Sequence, residues 1–204
     1  MQGLTQQRKR GAGERGFTVI ELMVVVLIVF IVAAMAIVQM GPTLAASRSD
    51  TAMDQVIDQI RQAREYSIEN RRYVAVTFQT VGSQAQIVIT QMNSQTANAG
   101  ANVVLSTVTL QYPVQFCVCS MPDTPDAFGN GGAIYFEGDS GGPAGGMWFQ
   151  SDGELVDGTS LQPINGTVFL GITGSKNLSR AITVLGTTGR VRAYKSTGSA
   201  WFSS

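Results

Sequence analysis

The apolar and polar positions of this chain fall into three regimes: a continuous run, then a helical period, then a period of two. From Leu22 to Val38 no residue has a polar side chain. As a helix rising 1.5 Å per residue, that stretch covers roughly 26 Å, and Phe17 to Ile20 extend it to about the hydrocarbon thickness of a bilayer. Beyond Pro42, the positions Met53, Val56, Ile57, Ile60, Ala63, Arg64, Ser67 and Ile68 follow i, i+3, i+4 spacing. The stripe is apolar as far as Ile60 and weakens after it. Asp54, Asp58, Arg61, Glu65 and Glu69 lie largely off it, with Arg61 spaced to pair with Asp58 and Glu65. Pro42 is expected to kink this helix rather than end it. The pattern predicts one helix from Phe17 to about Arg71, whose first half (17–41) is a membrane anchor. Its second half (42–72) is an amphipathic continuation packed on a sheet.

From Tyr73 onward, in residues 73–204, the period is two. Tyr73 to Gln79 and Ala85 to Gln91 read as a hairpin around Val81-Gly82-Ser83. Further strands are predicted at Val103 to Leu110, Val114 to Val118, Ala133 to Glu137, Met147 to Gln150, Thr167 to Thr173, Arg180 to Leu185 and Arg190 to Lys195. Gly186 to Gly189 reads as a hairpin turn. Residues 91–102 are a polar loop. Residues 120–146 hold eight glycines and three prolines, which makes them mostly loop.

Charge adds an orientation. The chain has 14 basic and 14 acidic residues, but the first 16 residues hold Arg8, Lys9, Arg10 and Arg15 against Glu14 alone. Basic residues before an apolar span predict a cytoplasmic N-terminus and an exported C-terminal domain. That leaves ten basic and thirteen acidic residues after the leader, a balance that does not advertise general nucleic-acid affinity. There is no histidine, which removes the usual general base and zinc ligand. Ala33-Ala34-Met35-Ala36 imitates a secretory cleavage site after the apolar core, but the core is long and a Gly-Phe junction precedes it.

Four groups of residues invite a chemical reading. Gly138-Asp139-Ser140-Gly141-Gly142-Pro143 matches the nucleophile string of chymotrypsin-like proteases, yet a serine there needs a histidine base, and the chain has none. Cys117 and Cys119 are the only cysteines. In a strand they share a face, at the limit of disulfide reach. A bond on the oxidising side, free thiols, and a redox or metal pair all stand as readings. Asp152, Glu154 and Asp157 form a small acidic cluster that does not match a calcium loop and reads as a solvated turn. Gly189-Arg190-Val191-Arg192 places two arginines on one strand face, spaced to meet successive phosphates. If the strand from Arg180 pairs with this one, Arg180 or Lys195 joins the patch.

Gly16-Phe17-Thr18-Val19-Ile20-Glu21-Leu22, behind a basic leader and ahead of the apolar run, resembles the signal of type IV pilins and pseudopilins. The resemblance implies cleavage of leader 1–16 by a prepilin peptidase after Gly16 and N-methylation of Phe17. It further implies an inner-membrane, single-pass precursor with a periplasmic domain that later enters a filament. The family's glutamate five residues into the mature chain is matched by Glu21, whose carboxylate would pair with the freed Phe17 amine of a neighbouring pilin subunit. Two positions depart from many pilins: Phe30 stands where a mid-helix glycine is common and Val38 where a proline is. The implied fold is pilin-like α+β, a long N-terminal helix on an antiparallel β-rich domain. Arg61 to Ser67, Phe149-Gln150-Ser151-Asp152-Gly153, Arg180-Ala-Ile-Thr-Val and Gly189 to Arg192 resemble one branch, the GspH/FimT-like minor pseudopilins and minor pilins. That branch implies a non-enzymatic assembly role without cofactors, in type II secretion or a type IV pilus. In its DNA-uptake members the Gly-Arg-x-Arg string is the implied DNA contact.

Overall fold

The computed structural model describes residues 16–93, 102–119, 124–126, 128, 132–137, 146–158 and 160–204. Helix α1 spans Val19–Asn70 and runs through Pro42, as the pattern predicts. It starts two residues later than the predicted start at Phe17 because Thr18 caps it. The Thr18 hydroxyl accepts the Glu21 backbone N–H at 3.3 Å, and its carbonyl accepts that of Leu22 at 3.2 Å. The far end closes with Arg71 in the left-handed region, φ 51°, and the Arg72 N–H bonded to the Ser67 carbonyl at 3.1 Å. This is the six-to-one closure of a Schellman cap, with arginine where glycine is usual. Residues Pro42–Ser204 form one compact unit, and the residues before them form another.

Ser49, Ala52, Met53, Val56, Ile60, Ala63 and Ser67 are buried along one stripe of α1. The stripe runs past Ile60 without weakening, because small Ala63 and Ser67 let the helix approach its sheets closely. Ile68, expected on the stripe, is instead 41% exposed. The expected Arg61 pairs with Asp58 and Glu65 do not form; among the described residues the ion pairs converge on Asp50.

Eleven strands build two antiparallel sheets among the described residues. The first contains β1 (Val74–Val81), β2 (Gln84–Gln91), β3 (Val103–Thr109), β6 (Gly146–Phe149) and β7 (Leu155–Val156), in the order β3-β2-β1-β6-β7. The β1–β2 hairpin turns at Gly82-Ser83 with Gly82 at φ 65°, as predicted. The second sheet contains β4 (Gln115–Phe116), β5 (Ile134–Phe136), β8 (Gly166–Gly171), β9 (Arg180–Leu185), β10 (Arg190–Ser196) and β11 (Trp201–Ser203). Its order is β11-β10-β9-β8-β4, with β5 also paired to β8. Two-residue β7 and three-residue β11 carry too little periodicity to be read from sequence.

One apolar core joins helix and sheets. Val56, Ile60 and Ala63 of α1 share it with Val76, Ile87 and Phe149 of the first sheet and Val168, Ile182 and Val184 of the second. At one end of this core Arg64 is the tie. Its Nε donates to the Gly153 carbonyl at 3.1 Å, across 89 residues of sequence. Gly153 and Gly189 both have positive φ, 85° and 62°. A Cβ on Gly153 would come within 2.7 Å of Ile68 Cδ1, and one on Gly189 within 2.6 Å of the Gly153 carbonyl oxygen. The Ile68 methyl can move aside, whereas the carbonyl is fixed backbone. Gly189→Ala is therefore expected to destabilise by about 2–3 kcal/mol and Gly153→Ala by about 1–2, as read from urea denaturation of the two variants against wild type.

Candidate functional site

The N-terminal site is built by the helix start. Because Thr18 is the cap, Gly16 and Phe17 lie outside the helical hydrogen-bond ladder, and both are exposed, Phe17 to 81%. Glu21 sits in the first turn of α1, beside the helix's free N–H groups, where a carboxylate is favoured. Val19–Ala36 follows with a mean hydropathy of 3.0 and none of its residues buried. It is the one helix among the described residues long and apolar enough to cross a membrane.

The second candidate is the arginine pair on β10. The pairing expected between Arg180–Leu185 and Arg190–Ser196 forms, with Arg192 opposite Thr183 and Lys195 opposite Arg180. That register divides the four cations that were expected to make one patch. Arg190 and Arg192 alternate with Val191 and Ala193, which pack against the core, so the arginines belong to the opposite face of the sheet. Both arginines are exposed. Lys195 and Arg180 share the core-side face instead.

There they meet α1. Arg180 is 5% exposed, and its Nε donates to Asp50 Oδ1 at 2.8 Å. Its Nη1 donates to the carbonyls of Asn177 and Ser179 at 3.0 and 2.9 Å. The Lys195 ammonium reaches the same Asp50 oxygen at 3.2 Å. Arg180 is thus committed to holding β9 on α1 and is withdrawn from any surface patch. Asp50 was missed in the sequence because nothing in its local pattern marks a partner 130 residues away.

With the geometry in place, comparison with known proteins adds one positive finding. Residues 12–37 match the prokaryotic N-terminal methylation motif. The chain carries a prepilin-type N-terminal motif. No curated protein and no solved structure matches it. The motif supplies the prepilin character, implying processing by prepilin peptidase and assembly with other pilins. The fold agrees with it: a long helix, apolar in its first part, packed against antiparallel sheets. The apolar N-terminal helix is consistent with an inner-membrane-anchored prepilin.

The remaining groups of this chain are placed as follows. Cys117 and Cys119 are joined as a disulfide, with Cα atoms 5.0 Å apart. The expected strand through Val118 is only Gln115–Phe116, and Cys119 turns into the left-handed region at φ 50°, which brings the two residues closer than an extended strand would. Asp152 closes a turn by accepting the Glu154 N–H at 3.1 Å. Asp157, expected to be solvated, is 2% exposed and accepts the Ser160 N–H at 2.8 Å. The protease-like string Gly138 to Pro143, with Ser140, lies outside the described residues.

Burial acts to raise the Asp50 carboxyl, but the hydrogen bond and charge of Arg180, then those of Lys195, outweigh it and hold the group below its ordinary value of 3.8. A lowered folded-state value means that the stability Asp50 confers is present above the ordinary value and is lost as pH falls through the lowered one. Asp50→Asn should cost about 1–2 kcal/mol at neutral pH, a figure reduced for the carboxylate's partial exposure. The gap between variant and wild type should close in acid, which thermal melts across a pH series would show.

Proposed function

We propose that this chain is a minor pilin or minor pseudopilin of the GspH/FimT type, which primes or enters a type II secretion pseudopilus or a type IV pilus. Prepilin peptidase removes residues 1–16 after Gly16, and the new terminus, Phe17, is N-methylated. The precursor spans the inner membrane once, with its leader in the cytoplasm and residues 73–204 in the periplasm. Its work is assembly and not catalysis.

The observation that carries this reading is the junction itself: Thr18 starts the helix so that Gly16-Phe17 stays outside it, directly before an apolar helix face that none of the described residues covers. Lipid covers that face before assembly, and neighbouring helices cover it afterwards. Inside such a bundle the Glu21 carboxylate needs a cation, and a neighbour's Phe17 amine is the nearest kind available. Support for the GspH/FimT branch comes from the Arg64 tie. Arg64 from the late helix, Gly153 from the β6–β7 turn and Gly189 from the β9–β10 turn belong to three separate strings of the resemblance, and they meet at one point.

The alternative within this family, a FimT-like DNA-uptake pilin, now rests on Arg190 and Arg192 alone. Arg180 and Lys195 are bound to Asp50 on the other face.

Two variants test the proposal. Gly16→Ala should leave a full-length precursor, and a mature mass in that variant would remove the peptidase claim. Glu21→Ala should be inserted and cleaved normally yet enter sheared filaments several-fold less, reflecting the loss of one buried charge pair. Normal incorporation would sink the pairing role.

A further inference from the structure

Arg61, Arg64 and Glu65 follow i, i+3, i+4 spacing, so they share one face near the end of α1. The turn before β10 is drawn against that face. Gly189 takes φ 62°, and its backbone lies so close that a Cβ there would come within 2.5 Å of Arg64 Nε. Arg190, the first residue of β10, is thereby delivered beside the helix arginines. The three arginines, Glu65, Gly189 and Val191 line a pocket of about 340 Å³. Among the described residues no carboxylate comes within ion-pair distance of these three guanidiniums; the ion pairs are those of Asp50. Arg64 commits only its Nε, to the Gly153 carbonyl, which leaves its two terminal amino groups. Arg61 and Arg190 are exposed, with no side-chain partner among the described residues.

We propose that this pocket binds a dianionic phosphate group, either free phosphate or a phosphomonoester. Three guanidiniums against one carboxylate leave an excess of two positive charges, which a dianion neutralises. The guanidinium forks come from two elements, a helix and a strand, and so need acceptors in more than one plane. A phosphomonoester offers three terminal oxygens around a tetrahedral centre, whereas a carboxylate offers two in a single plane. A phosphodiester has one charge and two free oxygens, and it matches the excess less well. That separates the site from a track for a nucleic-acid backbone along Arg190 and Arg192. Arg192 lines the adjoining groove together with Asp54 and Asp58 and is not part of this pocket. Those carboxylates and solvent screening hold the affinity to the order of millimolar. Bound here, phosphate bridges the end of α1 to the start of β10, beside the Arg64 bond to Gly153. The inference stands on the geometry of this pocket and does not require the filament role.

The test is a calorimetric titration of the full chain in detergent with sodium phosphate, with glycerol phosphate and with an oligonucleotide lacking terminal phosphates. It is run at about pH 8, above the second phosphate pKa, with ionic strength held constant by chloride. Phosphate or glycerol phosphate should bind, and the tighter of the two identifies the source of the group. Arg61→Gln and Arg190→Gln should each weaken binding about tenfold, Arg192→Gln should leave it unchanged, and Glu65→Gln should tighten it several-fold. All four side chains are exposed, so each variant should keep the wild-type circular dichroism spectrum. Three results would overturn the proposal: neither small phosphate binding in excess of chloride, binding that survives Arg61→Gln and Arg190→Gln or falls equally with Arg192→Gln, or binding of the oligonucleotide alone.

Discussion

The fold depends on burying one stripe of α1 against two sheets that form separate hydrogen-bonded ladders among the described residues. Val56, Ile60 and Ala63 are completely buried, and they share one core with strands from both sheets. The sheets also meet directly, with the rings of Phe78 and Phe116 edge to face at 5.4 Å between centroids. Two polar ties run to α1. Arg64 reaches the turn between β6 and β7 in one sheet and lies against Gly189 at the turn before β10 in the other, while Asp50 holds β9 and β10 about four helical turns away. Apolar burial supplies most of the attraction, and these ties fix where along the helix each sheet sits.

The charges of β10 show how a strand assigns roles that its sequence leaves undivided. Read linearly, Arg180, Arg190, Arg192 and Lys195 are four cations in two neighbouring strands. Folded, parity sends one pair to the core side, where both meet Asp50, and leaves the other pair exposed to solvent. A cationic surface available to a partner is therefore half of what the composition suggests, and it borders on carboxylates.

Much of this was legible in the chain because it is encoded locally. The apolar run, the Gly-Phe-Thr-x-Ile-Glu string, the helix through Pro42 and the β1–β2, β8, β9 and β10 strands all have a period or a turn residue to mark them. What escaped the reading is encoded by distance. Asp50 has no local signal for Arg180. The stripe beyond Ile60 continues on Ala63 and Ser67, which look weak by hydropathy yet are buried because they are small. Ile68 fits the helical period and still lies partly in solvent, packed only against the turn at Gly153 among the contacts described. β7 and β11 exist only as partners to β6 and β10, and Cys119 leaves its strand through a left-handed residue that no propensity announces.

Pro42 has one consequence of a different kind. It stands inside α1 without a backbone N–H, so the carbonyl four residues earlier, at Val38, lacks its helical donor, and Gly41 beside it is a poor helix former. The helix thus has one missing rung, placed where the apolar run gives way to the amphipathic part. Axial load applied to one end of α1 while the other end is held by the two sheets would concentrate at that rung, because every other turn near it has a bond to resist stretching. The rung missing at Pro42 coincides with the boundary between the two compact units of the chain.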